Sequence, residues 1–372
     1  MPIVPVKELR PGMILAEYLL DPHGTFLIAP GQVISPEWIK RLSRWQIKSV
    51  AVEDEPDSLI PQPPGYNRIT ALPAMSTFAF KAFCQEQTQI ENKIREIFVA
   101  LRESGTLATG ALQELVRDHL YPLLNLPKLP IFIHMPGKQE DYLYRHSFDC
   151  AILAGLFARW LEFPTPSVAQ IMFSALVMDI GKLFVSDDVI NKPDTLTLDE
   201  RQQAKEHLEL GYKILLQNKQ VNSAALEAIY QHHERLDGSG YPRGLRGSSI
   251  LQSARILAIA DVYDAMVSHR CYRQGLSPLQ AGETLLSSMS SQLDKEMLHC
   301  FIEEMRRSFL GEKVLLSDGN HALIAAFPPL PLIRPLVLLP SGAVIPLTHD
   351  SSVDIIRWET TYWDPPVLPF MP

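Results

Sequence analysis

A chain of 372 residues, 46% hydrophobic and 20% charged, has the composition of an ordinary folded protein with room for two or three cores. Its formal net charge of −8 argues against a nucleic-acid polymer as partner, because surfaces that bind such polymers are usually basic. The four cysteines form no CxxC pair and three lie in apolar helical patterns, which reads as buried free thiols in a reducing compartment.

Residues 1–54 alternate short β-like runs with one helix, a small α/β module. Ile14–Leu20 and Thr25–Ala29 read as strands joined through Asp21-Pro-His-Gly24. Ser35 and Pro36 open a helix carrying Trp38, Leu42 and Trp45, and Ile47–Val52 is a closing strand. The N-terminus lacks the charged and apolar runs of a signal peptide. Residues 55–75 are proline-rich and read as a linker. A helical connector follows over 76–137, with helices expected at 77–104 and 107–124 and an aromatic stripe that reads as packing.

From 138 to 310 helical patterns are dense. Cys150–Leu161 is amphipathic, and Ile171–Met178 is nearly all apolar and therefore a buried helix. Thr197-Leu-Asp-Glu200 is a capping box, and Ser277-Pro278-Leu-Gln280 opens another helix in the same style. Residues 311–372 return to short strands (Lys313–Asn320, Arg334–Leu339, Ala343–Leu347) with glycine turns, a small β appendage. The most apolar late stretch, Leu323–Leu339, is broken by prolines and Arg334 and cannot span a membrane as a helix. A cytoplasmic protein is the expectation.

The chemistry lies in polar residues set within apolar helices: His146, Asp179, His207, His232, His233 and Asp261. A buried carboxylate is costly unless it is paired or bound to a metal. Imidazoles and carboxylates together form a mixed N/O donor set that suits a divalent transition metal. Glycines at 238 and 240 permit close approach of a loop to a ligand, and Pro242 fixes its exit.

These residues occur in a recognisable order: His146-Ser, Asp179-Ile-Gly-Lys182, Asn191-Lys192-Pro, His207, His232-His233-Glu-Arg-Leu-Asp-Gly-Ser-Gly-Tyr-Pro242, Asp261-Val-Tyr-Asp264 and Arg270-Cys-Tyr-Arg273. The run resembles the HD-GYP family, bacterial phosphodiesterases of cyclic di-GMP, over roughly residues 138–310. The resemblance implies a mainly α fold, an all-helical HD-superfamily bundle carrying the two small end modules. It implies His146, Asp179, His207, His232, His233 and Asp261 as ligands of one or two divalent ions, Fe or Mn, with Asp179 shared between them. Lys182 with Asp179 would be catalytic, the lysine offsetting charge on the scissile phosphate. Gly238, Gly240, Tyr241 and Pro242 would shape the loop over the guanine nucleotide. Arg235, Arg270 and Arg273 read equally as phosphate or loop-anchoring residues and as surface salt bridges. Expected partners are cyclic di-GMP, signalling proteins and a second copy of the chain.

One position departs from the pattern. The His-Asp pair that names the family reads Met178-Asp179 here, and a thioether is a poor substitute for imidazole at a divalent ion with N/O ligands. Some members place a glutamate four residues before the first histidine to hold a third ion; Tyr142 stands there. Three functions follow: a hydrolase giving pGpG and GMP, weakened at Met178; an inactive receptor or scaffold that keeps the loop; or an HD-superfamily hydrolase of another phosphoester, against which the intact Gly-Tyr-Pro loop argues.

Overall fold

The computed structural model describes residues 3–10, 13, 15, 19–20, 26–28, 34, 39–40, 42, 47–52, 77–126, 129–133, 142–190, 192, 194–218, 220–268, 275–331, 333–347 and 353–359. The helix expected from Ser35, the Asp21–Gly24 turn and the 55–75 linker lie wholly or largely outside them, as do Cys271, Arg270 and Arg273. The chain divides into two compact units.

One unit comprises residues 1–85, 125–128 and 306–372. Strands β1 (Ile3–Pro5) and β4 (Ser49–Ala51) pair antiparallel, as do β2 (Leu19–Leu20) and β3 (Phe26–Ile28). Val6, Leu9, Leu15, Ile34, Leu42, Val50 and Val52 form the core beside them. The C-terminal part is a five-stranded antiparallel sheet of order β8-β7-β6-β5-β9, from Val344–Pro346, Leu336–Leu338, His321–Ala326, Lys313–Leu316 and Ile355–Glu359. Two of its strands, β6 and β9, have no counterpart in the sequence reading. The alanines of His321–Ala326 give little β signal, and burial of alternate residues against neighbouring strands decides the conformation.

The other unit, residues 86–124 and 129–305, is helical. Helix α1 (Thr77–Ser104) enters it with Ile90, Ile94 and Phe98 buried. Helix α2 (Thr109–Leu115) passes directly into a π-helical turn, Val116–Leu120. There follow α3 (Tyr142–Trp160), α4 (Thr165–Val177), α5 (Leu198–Leu216), α6 (Ser223–Gln231), α7 (Gln252–Val267), α8 (Pro278–Ser288) and α9 (Lys295–Ser308). Both expected capping boxes form: Glu200 N donates to Thr197 Oγ1, and Gln280 N donates to Ser277 Oγ. Phe301 of α9 meets Phe157 of α3 and Tyr263 of α7 edge-on, each at 5.1 Å, tying three helices through aromatic contacts. The Thr165–Phe184 run is apolar and long enough to cross a membrane, yet most of it is buried as the centre of this unit. The cysteines correct the sequence reading in part: Cys150 is buried, but Cys84 and Cys300 are only half-buried.

Candidate metal centre

The centre is built where the ends of α4 and α6 and the first turns of α3 meet the middles of α5 and α7. Helix α4 stops at Met178, which is buried, and Asp179 begins a short 3-10 turn, Ile180–Phe184. Gly181 in that turn permits the next step. A Cβ there would stand 1.9 Å from the His207 carbonyl oxygen, so only glycine lets α5 lie against the turn and bring His207 to Asp179. His207 Nε2 is 3.4 Å and His232 Nε2 3.8 Å from Asp179 Oδ1.

The tautomers of these two histidines follow from their backbone partners. His207 Nδ1–H donates to the Ala204 carbonyl at 2.5 Å, and His232 Nδ1–H donates to the Ile229 carbonyl at 2.6 Å. Each therefore presents Nε2 with a free lone pair while the imidazole is neutral. Both Nε2 atoms and Asp179 Oδ1 are buried without a hydrogen-bond partner. Such orphaned acceptors are costly inside a protein, and a cation between them satisfies all three at once. Burial, with Lys182 and His232 nearby, holds His207 down at about 4. Burial also lowers His232, and lowers His233 strongly, the latter helped by His232. Asp179, His207, His232 and His233 form one group with metal-ligand spacing.

A second group surrounds His146 in the second turn of α3. Its Nε2 lies 3.1 Å from Asp179 Oδ2 and 3.3 Å from Asp261 Oδ1 of α7, while Nδ1 meets Asp264 Oδ2 at 2.6 Å. Burial opposes charge on this imidazole, but Cys150, Tyr142 and hydrogen bonds to Asp179 and Asp261 prevail and raise its pKa well above the usual value. Asp179 and Asp261 are both held low despite burial, Asp179 chiefly by Lys182 and Asp261 chiefly by its hydrogen bond to His146. Lys182 Nζ donates to Asp179 Oδ2 and stays cationic. His146, Cys150 and Asp261 form a second group with metal-ligand spacing.

Three participants have roles that the sequence reading did not assign. Asp264 orients His146 from 118 residues away, a distance at which no local pattern connects them. Cys150 lies one helical turn beyond His146 on the same face. Arg145 ties Asp149 (2.7 Å) and Glu91 of α1 (3.4 Å) into the layer behind His146. Burial and the neighbouring Asp264 raise Asp149 well above the usual carboxylate range.

The loop after His233 closes over this site. Gly238 has φ +80°, and a Cβ on Gly240 would stand 2.4 Å from Arg235 N. The chain folds back so that Tyr241 N donates to the His233 carbonyl at 3.2 Å and the Tyr241 ring stacks on His233 at 4.7 Å. Pro242 follows in a cis peptide. Arg235 donates to the His232 and Glu234 carbonyls, a loop anchor. The buried Glu234 accepts from Arg243 N and Leu245 N, and its position between two histidines and a glycine loop could have flagged it. Tyr142, at the position four residues before the first histidine, stacks on His146 at 5.3 Å.

A mainly helical unit whose histidines and aspartates converge in this way defines the class. Residues 120–297 match the HD domain family model. Among curated relatives, the cyclic di-GMP phosphodiesterase PA4108 of Pseudomonas aeruginosa is 27% identical over 86% of this chain and 80% of its own. A cyclic di-GMP phosphodiesterase of Thermotoga maritima is 36% identical over 50% of each chain. The fold resembles that of Bd1817, an HDG"Y"P protein from Bdellovibrio bacteriovorus, with TM-score 0.50 and 15% identity over 81% of this chain and 97% of that one.

Proposed function

We propose that this protein is a metal-dependent phosphodiesterase that hydrolyses cyclic di-GMP to pGpG, and onward to GMP. The observation that carries the reading is the set of buried, partnerless acceptors at Asp179, His207 and His232 beside the Gly-Tyr-Pro loop. In this reading Asp179, His207, His232 and His233 hold one ion, and His146, Asp179 and Asp261 hold another, iron or manganese. Bound divalent ions would act as Lewis acids on the phosphodiester and lower the cost of forming hydroxide at neutral pH.

The chain's own residues do the rest. Asp179 faces His207 and His232 through Oδ1 and His146 through Oδ2, and so would stand between the two ions. Lys182, kept cationic at that carboxylate, offsets negative charge developing on a phosphoryl oxygen. Arg235 and Glu234 pin the loop, and Tyr241 against His233 sets the wall beside which a nucleotide is oriented. Lys205 Nζ lies 4.8 Å from the centre of the Tyr241 ring and adds positive charge at the rim for an anionic substrate. Arg270 and Arg273 fall outside the described residues and carry no part of this argument.

Met178 favours a second reading, an inactive cyclic di-GMP receptor or scaffold. Full-length protein supplied with manganese or ferrous iron should consume cyclic di-GMP and form pGpG by chromatography. Failure with every metal tried defeats the hydrolase reading. Met178→His separates the two: a large gain in turnover marks a natural enzyme weakened at this position, and little change marks methionine as tolerated.

A further inference from the structure

Loss of the histidine before Asp179 removes one ligand from the side of α4, so the His146 half needs another donor from elsewhere. We propose that Cys150 is that donor, a thiolate ligand that gives this half of the centre a His146, Asp179, Asp261, Cys150 set and a preference for softer divalent ions. The inference rests on the metal-centre reading above and deepens it.

The geometry is local and specific. Cys150 follows His146 by four residues on α3, so both side chains leave the same face of one helix. Its sulfur lies 3.7 Å from His146 Nε2, the nitrogen that also faces Asp179 and Asp261. Adjacent donors on a cation with metal–nitrogen and metal–oxygen distances of about 2.1 Å and a metal–sulfur distance of about 2.3 Å stand roughly 3–4 Å apart. The His146 separations of 3.1, 3.3 and 3.7 Å fall in that interval. The sulfur is also 3.5 Å from Nδ1, so ligation would draw it toward the Nε2 side. His146 Nδ1 is occupied by Asp264, which leaves Nε2 as the metal-facing atom.

A buried cysteine alone would be an ordinary core residue. Here it shares one ligand group with His146 and the carboxylate of Asp261, and the His146 Nε2 it approaches also faces Asp179 Oδ2. On binding, the thiol gives its proton to solvent and the sulfur lone pair forms the metal bond, with no change of oxidation state. A thiolate in place of a neutral imidazole adds one negative charge and a soft donor, which favours zinc, cobalt or ferrous iron over manganese or magnesium.

The test uses full-length, metal-stripped protein titrated with Co(II). Wild type should develop a near-ultraviolet sulfur-to-cobalt charge-transfer band together with visible d–d bands. Cys150→Ser should lose the first and keep the second from the His207 group, with an unchanged circular dichroism spectrum. In parallel, Cys150→Ser should weaken zinc binding by about 10–100-fold while changing manganese binding far less. Visible bands without charge transfer in wild type overturn the thiolate and leave the metal centre standing. A charge-transfer band that persists in Cys150→Ser assigns it to another cysteine and also overturns the proposal. Equal weakening of zinc and manganese makes Cys150 a packing residue only. Absence of any cobalt binding defeats the thiolate and the metal centre together. Turnover of cyclic di-GMP is read separately and does not decide this question.

Discussion

The two halves of the centre share Asp179 and otherwise solve different problems. On the His207 side, backbone carbonyls of Ala204 and Ile229 fix two tautomers, burial keeps the rings neutral, and the ligand atoms are left unpaired. On the His146 side the imidazole is enclosed by Asp179, Asp261 and Asp264 and holds its proton. The first half is preorganised for a cation by helix backbone. The second is a charged cluster in which a proton occupies the place a cation would take. A cation bound here would displace no proton from the neutral imidazoles of the first half and would compete with the proton favoured on His146 in the second.

Asp179→Asn attacks both halves and should have the largest effect. Metal affinity should fall on the order of 100-fold or more at each ion, measured by calorimetric titration. Retention of both ions at near wild-type affinity would refute the shared-carboxylate geometry.

Gly181→Ala tests the approach that positions the histidine half. Its Cβ meets a backbone carbonyl that cannot swing away, so a loss of about 3 kcal/mol is expected in denaturant unfolding. A neutral substitution would mean that α5 is free to move.

The pH dependence of the metal-free protein should distinguish the halves by sign. His207 is depressed to about 4 from its ordinary 6.5, so its contribution is present above 6.5 and is lost as pH falls toward 4. That loss is on the order of 3 kcal/mol. His232 and His233 act in the same direction. His146 is raised, so its contribution is present below 6.5 and is lost as pH rises through its elevated pKa. Melting temperatures should show His207→Gln flattening the acid limb and His146→Gln the alkaline limb. The same limb flattened by both variants would contradict the assignment.

Asp264→Ala sharpens the comparison most narrowly. Releasing His146 Nδ1 should cost about 10–100-fold in affinity at one ion and leave the other nearly unchanged.

Much of this was legible before any coordinates. The adjacent histidines, the Gly-Tyr-Pro loop and the aspartate closing an apolar helix each break a local pattern, so sequence exposes them. Capping boxes at Thr197 and Ser277 are similarly local. What stayed hidden depends on contacts between distant segments. Asp264 stands out as an acid within an apolar helix but shows no partner, Gly181 reads as one more helix end, and Cys150 as a small core residue. Their roles appear only when α3, α5 and α7 converge. Strand β6 was missed for the same reason, since its alanines are extended by their neighbours rather than by their own preference.

Metal content of the full-length protein, purified without chelator and measured by inductively coupled plasma spectrometry, bears most directly on the central claim. One ion for each of the two ligand groups is expected, and Asp179→Asn from the same preparation should carry neither. Wild-type protein that holds no more metal than that variant would show that these buried imidazoles and carboxylates gather for some purpose other than binding cations.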